Sequence, residues 1–310
     1  MPKVSVIVPN FNHLKYLPER LQSILGQTFQ DFELILLDDC STDGSAAWLE
    51  DFRGKEKVSA VILGEANSGS AFKQWKKGFE AASGELVWIA ESDDSCAPEL
   101  LETLVAEFDR HSDCVLAFCA SMLTDEGGSP LGVHRYQKEL GRDLHLPGRE
   151  FVRKWLLRNN YVVNASGALL RKSALSGIDD SFMRYSGVGD WLFWAGISLQ
   201  GSVSFVNRPL NFFRQHGSNT TASLKRSGKA LLELRSLLED FERLGLHDRR
   251  VWLHDRIYAV HTVKYGPQLP QELKSEVLRV WKDDAWISFL ALLKEIKHRI
   301  SVRFFSGART

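Results

Sequence analysis

Short apolar runs alternate with segments of helical spacing along the first third of the chain. Between two such runs, the apolar positions from Leu14 to Leu25 recur at the three- to four-residue intervals of one helix face. The runs themselves are five or six residues long, and they are Val4–Val8, Phe32–Leu37, Val58–Leu63 and Leu86–Ala90. This repeated strand–helix order predicts an α/β fold whose sheet is mostly parallel, or mixed, and is flanked by helices.

The middle of the chain carries fewer clear elements. A helix is predicted from Pro98 to Arg110, and a strand is predicted at Cys114–Ala120. Residues 124–147 are rich in glycine, proline and charge, which is typical of a loop or an excursion. A buried helix is predicted over Asp190–Gln200 and a strand at Val203–Val206.

The last third of the chain has helical spacing throughout. From residue 222 onward, apolar residues repeat with the period of amphipathic helices. We therefore expect one domain at residues 1–221, with halves at 1–96 and 97–221, and a helical C-terminal extension at residues 222–310.

The composition argues against nucleic acid as a partner and against a membrane span. Of the 310 residues 44% are apolar and 25% are charged, and the formal net charge is zero. No basic run is interleaved with aromatic residues, as nucleic-acid modules usually show. The longest apolar stretches, Trp191–Leu199 and Ile287–Leu293, are far shorter than the roughly 18 to 20 residues that cross a bilayer.

Cysteine spacing and the first residues favour a cytoplasmic location. The four cysteines form no CxxC pair, and they are Cys40, Cys96, Cys114 and Cys119. The opening MPKVSVIVPN has the pattern of a strand and lacks the charged and apolar regions of a signal peptide. We expect reduced thiols in the cytosol.

The end of the chain combines aromatic and basic residues. Residues 286–309 carry Trp, Phe and Leu together with Lys294, Lys297, Arg299 and Arg303. This composition suits a helix lying on the anionic inner face of a membrane, where it would bring the chain to a lipid-linked acceptor. A helix packed on the main domain, or on a second subunit of a homo-oligomer, predicts the same composition, and both interpretations stay open.

Two pairs of adjacent carboxylates follow two of the predicted strands. Asp93 and Asp94 come directly after LVWIA, and Asp38 and Asp39 end another strand. One such pair alone is equally typical of a turn or of a helix start. Two pairs at one edge of a sheet would repel each other unless a cation or ligand lay between them, so the pattern favours a divalent metal bridging a diphosphate.

Five motifs in order along the chain resemble those of family 2 glycosyltransferases. They are VSVIVPNFN at 4–12, LLDDCSTDGS at 36–45, Asn67-x-Gly69, GELVWIAESDD at 84–94 and GDW at 189–191. The resemblance covers roughly residues 3–220 and implies a GT-A fold, in which 1–96 bind a nucleotide-diphosphate sugar and 97–221 receive the acceptor. It also implies inverting transfer to an acceptor hydroxyl, with a UDP-sugar favoured, in surface polysaccharide or glycan assembly.

The same resemblance implies the residues of the donor site. Asp39 would accept a hydrogen bond from the base, and Pro9, Phe11 and Asn12 would line the base and ribose pocket. The full set of nucleotide-sugar-binding residues that it implies is Pro9, Phe11, Asn12, Asp39, Asn67, Gly69 and Asp93.

A metal site and a catalytic base are implied as well. Asp94 would be the direct ligand of Mn²⁺ or Mg²⁺, Asp93 would contact the ribose or the metal, and the loop residue His216 would be a further ligand. Asp190 would be the general base that deprotonates the acceptor hydroxyl, and Trp191 would contact the acceptor. Helix capping by Asp190 and a core position for Trp191 predict the same residue types.

One departure and two alternatives accompany this interpretation. Gln74-Trp75 stands where many relatives carry Arg-Asn, which leaves Lys73, Lys76 or Lys77, or the metal alone, to meet the diphosphate. A sugar nucleotidyltransferase would share the sheet but would place a glycine-rich, arginine-containing loop after the first strand, where this chain has PNFN. An inactive scaffold protein that binds a nucleotide sugar is the other alternative, which retention of the key aspartates argues against.

Overall fold

The computed structural model describes residues 1–216, 228–266 and 269–306. The chain divides into two compact units, Met1–Gly217 and Ser218–Thr310. The boundary expected between residues 221 and 222 lies outside the described residues.

The N-terminal unit begins with strictly alternating strands and helices. These elements are β1 (Val4–Asn10), α1 (Leu17–Leu25), β2 (Phe32–Asp38), α2 (Ser45–Glu50), β3 (Val58–Leu63), α3 (Ala71–Ala81) and β4 (Leu86–Ile89). β1 pairs in parallel with both β2 and β4, and β2 pairs in parallel with β3. The four predicted strands are confirmed, and β1 runs on to Asn10 because its pairing with β2 continues to Asp38.

The second half of this unit is less regular. Its elements are β5 (Ser95–Cys96), α4 (Leu100–Arg110), β6 (Cys114–Thr124), β7 (Pro130–Val133), α5 (Arg135–Leu140), β8 (Leu144–Pro147), α6 (Gly148–Phe151), which continues as a π-helical turn (Val152–Leu156), β9 (Ala168–Arg171), α7 (Gly189–Ser198) and β10 (Ser202–Arg214). Short 3-10 turns cover Ala165–Gly167, Lys172–Gly177 and Asp180–Arg184. Of the loop or excursion predicted over residues 124–147, the structure has the excursion, because β7 and β8 there pair with β6 and β10.

All ten strands of the described chain join one mixed sheet, in the order β3-β2-β1-β4-β9-β6-β10-β5, with β7 attached to β6 and β8 attached to β10 outside this path. β9 lies antiparallel between β4 and β6, and it connects the parallel N-terminal half to the rest. The predicted α/β class with a mixed sheet is confirmed. β9 itself escaped prediction because four residues are too few to show a period.

Close packing fixes α3 over the sheet. A Cβ atom added at Gly78 would lie 2.4 Å from Cγ2 of Ile7, so only glycine allows α3 to approach β1 this closely. This approach brings Gln74 and Trp75, both buried in α3, toward the ends of the parallel strands.

The C-terminal unit is helical, as predicted. It contains α8 (Lys229–Arg243), α9 (Arg249–Tyr265), α10 (Gln271–Val280) and α11 (Ala285–Ser306). Ile287 and Ala291 of α11 are buried in a core shared with Val260 of α9, while Trp286 and Phe289 are exposed. Across the described ranges, no helix combines the length and the apolar character that spanning a bilayer requires.

Candidate active site

The loop after β1 presents an exposed aromatic ring at the edge of the sheet. Phe11 is 43% exposed, whereas Pro9 is buried inside β1. Asn12 has a left-handed backbone (φ 56°), and its Oδ1 accepts a hydrogen bond of 2.7 Å from the backbone N–H of Thr42. The loop is therefore pinned to the loop after β2, and Phe11 and Asn12 are accessible to a ligand where Pro9 is not.

Asp39 holds the loop after β3. Its carboxylate is 4% exposed and accepts hydrogen bonds from the backbone N–H and the Oγ of Ser68 and from Nε2 of Gln74. In the same loop, Oδ1 of Asn67 accepts from the backbone N–H of Gly69, whose φ of +69° suits glycine. Gln74, which stands where the resemblance leads us to expect arginine, thus helps to position the strand-end carboxylate of Asp39.

Asp93 belongs to a compact group with two histidines. Its Oδ2 lies 2.8 Å from Nε2 of His216, and one ligand atom each from His13, Asp93 and His216 lie within 4.8 Å of one another. Nδ1 of His13 lies 2.8 Å from Oγ of Ser92, which orients the ring. Burial lowers the pKa of His13, so its imidazole is neutral and able to bind a metal.

His13 was missed in the sequence. It follows PNFN directly, at the end of the first strand, and that position was the signal available. The group of two histidines and one carboxylate suits Mn²⁺ better than Mg²⁺, because Mn²⁺ accepts nitrogen and oxygen ligands whereas Mg²⁺ prefers oxygen.

Asp94 lies outside this group, and its expected function as the direct metal ligand stays a prediction. It is 1% exposed, and its Oδ1 accepts from the backbone N–H of Arg214 at 3.0 Å. Its Oδ2 accepts from Nδ2 of Asn164 at 2.9 Å and from Oγ of Ser166 at 2.7 Å. With both oxygens engaged in the interior, Asp94 ties the end of β10 to the turn after β4 and thereby places His216, two residues beyond Arg214, beside Asp93.

Glu91 is a further acidic group at the end of β4 that the sequence analysis did not single out. Its Oε1 accepts a hydrogen bond of 2.8 Å from Nε1 of Trp75. Burial and the nearby charge of Asp93 raise the pKa of Glu91 to about 8. Its place in the ESDD motif was the signal available in the sequence. Trp75, which donates this hydrogen bond, stands where the resemblance leads us to expect asparagine.

Asp190 lies in the first turn of α7 with both carboxylate oxygens oriented. Oδ1 accepts from the backbone N–H of Trp191 and Oδ2 accepts from Nδ2 of Asn160, each at 2.8 Å. Burial raises the pKa of Asp190 to about 7. The residue that precedes the helix is Val188, so the carboxylate of Asp190 lies inside the helix and is not its N-terminal cap.

Close packing fixes the position of this carboxylate. A Cβ atom at Gly189 would lie 2.3 Å from the carbonyl oxygen of Phe182 and 2.6 Å from Cε2 of Phe72 in α3. Trp191 is partly exposed, and its Nε1 donates to the carbonyl oxygen of Leu156. The start of α7 is therefore seated against α3 and against the π-helical turn.

One short segment connects the two groups of carboxylates. Asn160 donates to Asp190, and Asn164, four residues later, donates to Asp94. A chain extends at most about 3.5 Å per residue, so the Cα atoms of Asn160 and Asn164 lie within roughly 14 Å of each other. One short segment therefore contacts both Asp190 and Asp94, the residue next to Asp93.

Comparison with known sequences identifies the family of this chain. The family described as "Glycosyl transferase family 2" matches residues 5–178. The putative teichuronic acid biosynthesis glycosyltransferase TuaG of Bacillus subtilis is 35% identical over 130 residues, which are 42% of this chain and 51% of TuaG. The poly(ribitol-phosphate) beta-N-acetylglucosaminyltransferase TarS of Staphylococcus aureus is 39% identical over 118 residues, which are 37% of this chain and 20% of TarS. The chain thus spans about half, or less, of the length of these relatives.

Solved structures share the architecture. The crystal structure of TarS 1–349 in complex with UDP-GlcNAc matches with a TM-score of 0.68 and 21% identity, over 90% of this chain and 79% of that one. The mannosyltransferase PcManGT from Pyrobaculum calidifontis, in complex with GDP-Man and Mn²⁺, matches with a TM-score of 0.57 and 15% identity, over 99% of this chain and 79% of that one. At these identities the matches establish the GT-A fold.

Proposed function

Because the chain belongs to glycosyltransferase family 2, we propose that it transfers a sugar from a nucleotide-diphosphate donor to a hydroxyl group of a saccharide acceptor, with inversion at the anomeric carbon. Family membership sets aside the nucleotidyltransferase and the inactive-scaffold alternatives. The observations that support the proposal most are the oriented carboxylate of Asp190 and the compact His13–Asp93–His216 group.

Asp190 is the proposed general base. Burial raises the pKa of Asp190 to about 7, and a general base is most effective when its pKa lies near the pH at which the enzyme operates. Its carboxylate takes the proton of the acceptor hydroxyl while that oxygen bonds to the anomeric carbon. The bond from this carbon to the diphosphate oxygen breaks on the opposite face, and the nucleoside diphosphate leaves with the electron pair. One such displacement inverts the configuration.

The donor is proposed to be a UDP-sugar held at the strand ends. Phe11 is exposed in a pinned loop and offers a ring face on which a base can stack. The structurally similar TarS was crystallised with UDP-GlcNAc, which supports a uridine nucleotide. Asn12, Asn67 and Gly69 are proposed to surround the ribose and diphosphate, while Asp39 shapes the site through Ser68.

The metal site is proposed to consist of Asp93, His216 and His13. A bound Mn²⁺ would neutralise charge that develops on the leaving diphosphate. Mn²⁺ is the proposed ion, since two of the three side chains are imidazoles, and Mg²⁺ is the weaker candidate.

The relatives support a function in assembling a surface polymer. TuaG is named for teichuronic acid biosynthesis and TarS for modification of poly(ribitol-phosphate). We propose a saccharide or lipid-linked saccharide acceptor, with the protein in the cytoplasm on the inner face of the membrane, where α11 contacts lipid. The exposed Trp286 and Phe289 support this contact. If a chain truncated after Asp284 co-sediments with anionic vesicles as well as the intact chain, α11 is not the anchor, and α11 then forms the contact of a homo-oligomer or packs within the protein.

The donor assignment is tested by a thermal-shift panel of UDP, GDP, CDP and dTDP, each with and without Mn²⁺. We expect the largest rise in melting temperature with UDP and Mn²⁺ together. The reaction is tested by incubating the chain with UDP-sugars and saccharide acceptors and reading the anomeric configuration of the product by NMR. A product that retains the configuration of the donor would contradict the single-displacement mechanism.

A further inference from the structure

Among the residues that the structure describes, the side chain of Asn160 forms one hydrogen bond, and it goes to the proposed base. Nδ2 donates to Oδ2 of Asp190 at 2.8 Å, while Oδ1 of Asn160 is buried and has no hydrogen-bond partner among the described residues. A buried carbonyl oxygen without a partner is unfavourable for folding. The polar contact that accounts for an asparagine here is therefore the one with the carboxylate of Asp190.

The amide also controls which lone pairs of Asp190 remain for the acceptor. Oδ1 of Asp190 is held by the backbone N–H of Trp191, and Oδ2 is held by Asn160. Removing the amide would leave the carboxylate with one constraint and free to rotate about its last torsion. A base whose oxygens are misaligned with the acceptor hydroxyl loses rate even when its position is unchanged.

Asn160 also connects the proposed base to the strand ends that form the proposed donor site. Four residues on, Nδ2 of Asn164 donates to Asp94, and Oδ1 of Asn164 accepts from Nδ2 of the buried Asn211 at 2.9 Å. Asn164 is thus fixed at the sheet, and the intervening residues fix the distance from there to Asn160. This segment therefore fixes the position of Asp190 relative to the turn that carries Asp93.

We propose that Asn160 is a positioning residue for the general base: it orients the carboxylate of Asp190 and fixes it relative to the donor site. This inference rests on the proposed function of Asp190.

Few other groups act on this carboxyl. Burial raises the pKa of Asp190, and hydrogen bonds from Trp191 and Asn160 lower it, while no charged side chain of the described residues contributes. On the neighbouring turn Arg184 donates to Oη of Tyr185, and Asp180 pairs with Lys76 of α3. Loss of the Asn160 amide should therefore raise the pKa of Asp190 further, because the amide donates one of the few hydrogen bonds that stabilise the ionised carboxylate.

The test compares Asn160→Leu with Asn159→Leu, which changes the same residue type one position away. Asn160→Leu is expected to lower kcat about tenfold to a hundredfold, which is the range for a lost hydrogen bond to a charged group. The KM for the donor and the melting temperature should stay near those of the wild type. The pH at which kcat reaches half its maximum should rise by about one unit. Asn159→Leu should keep the wild-type kcat and pH profile.

A second variant keeps the proposal falsifiable if leucine perturbs the fold. Asn160→Asp preserves the shape, removes the donor and places a second carboxyl beside Asp190, so the midpoint of the pH profile should rise more than in Asn160→Leu. A wild-type pH profile in both variants would overturn the proposal, even if kcat fell. The base assignment is tested separately, since an active Asp190→Asn variant would refute it whatever Asn160→Leu shows.

Discussion

Replacing Asp190 by asparagine removes the proposed proton acceptor while keeping the shape of the side chain. General-base catalysis contributes about a hundredfold to ten-thousandfold in rate, so we expect kcat to fall by that factor. Binding of the nucleotide should change little, because the metal-competent group and Phe11 lie on other elements. In the wild type, kcat should rise with pH and reach half its maximum near the pKa of about 7 that burial gives Asp190.

The same substitution should alter stability with a defined sign. The rise in the pKa of Asp190 from 3.8 to about 7 corresponds to at most about 4 kcal/mol, at roughly 1.4 kcal/mol per pH unit. Between these two values the folded chain binds this proton more tightly than the unfolded chain. The contribution of Asp190 to stability is therefore largest at acidic pH and is lost as the pH rises to about 7. Asp190→Asn lacks this loss, so it should gain stability relative to the wild type between pH 5 and pH 8.

Two measurements check these expectations together. Release of UDP from a UDP-sugar gives kcat across the pH range, and guanidinium unfolding at about pH 5 and pH 8 gives the free energy of unfolding. Nucleotide affinity, measured by titration calorimetry, is the control for an intact donor site. Transfer at the wild-type rate would refute the assignment of the base. An unchanged stability difference between the two pH values would show that Asp190 is not held in a desolvated site.

Three further substitutions test the metal site, the packing and the base pocket. Asp93→Asn should weaken Mn²⁺ binding, read from the EPR signal of free Mn²⁺, at least tenfold, whereas Asp94→Asn should retain most of the affinity but lower the melting temperature; equal losses of affinity would contradict the separation of the two. Gly189→Ala should destabilise the protein by about 1 to 3 kcal/mol in denaturant unfolding, because its Cβ would lie 2.3 Å from the carbonyl oxygen of Phe182. Phe11→Ala should raise the Kd for UDP by about one or two orders of magnitude in titration calorimetry, as expected for a lost base–aromatic stack, and an unchanged Kd would remove Phe11 from the base pocket.

Local pattern sufficed for the parallel half of the sheet. The predicted bounds of Val58–Leu63 coincide with those of β3, and Phe32–Leu37 differs from β2 by one residue. Each of these strands is a mostly apolar run of six or seven residues between turns, which is the signal that a sequence pattern can detect. β9 could not be found in this way, because its four residues become a strand only through pairing with β4 and β6.

The motifs predicted which carboxylates lie at the candidate site, but not which partners each carboxylate has there. Asp93 and Asp94 are adjacent and chemically identical in the sequence. Only the folded chain shows that Asp94 faces Asn164 and Ser166, about 70 residues away along the chain, while Asp93 faces His216. Partners so distant leave no local trace, and the same reason hid the pair formed by Asn160 and Asp190.

The position of β9 between β4 and β6 determines when the sheet can be completed during synthesis of the chain. As the chain leaves the ribosome, β1, β2, β3 and β4 can pair as soon as residue 89 has emerged, yet one edge of β4 then has no neighbour until Ala168–Arg171 arrive. During that interval roughly eighty further residues are synthesised beside an open strand edge, the kind of surface on which nascent chains aggregate. The parallel half of the sheet would form first, and β9 of the following half would then cover its open edge.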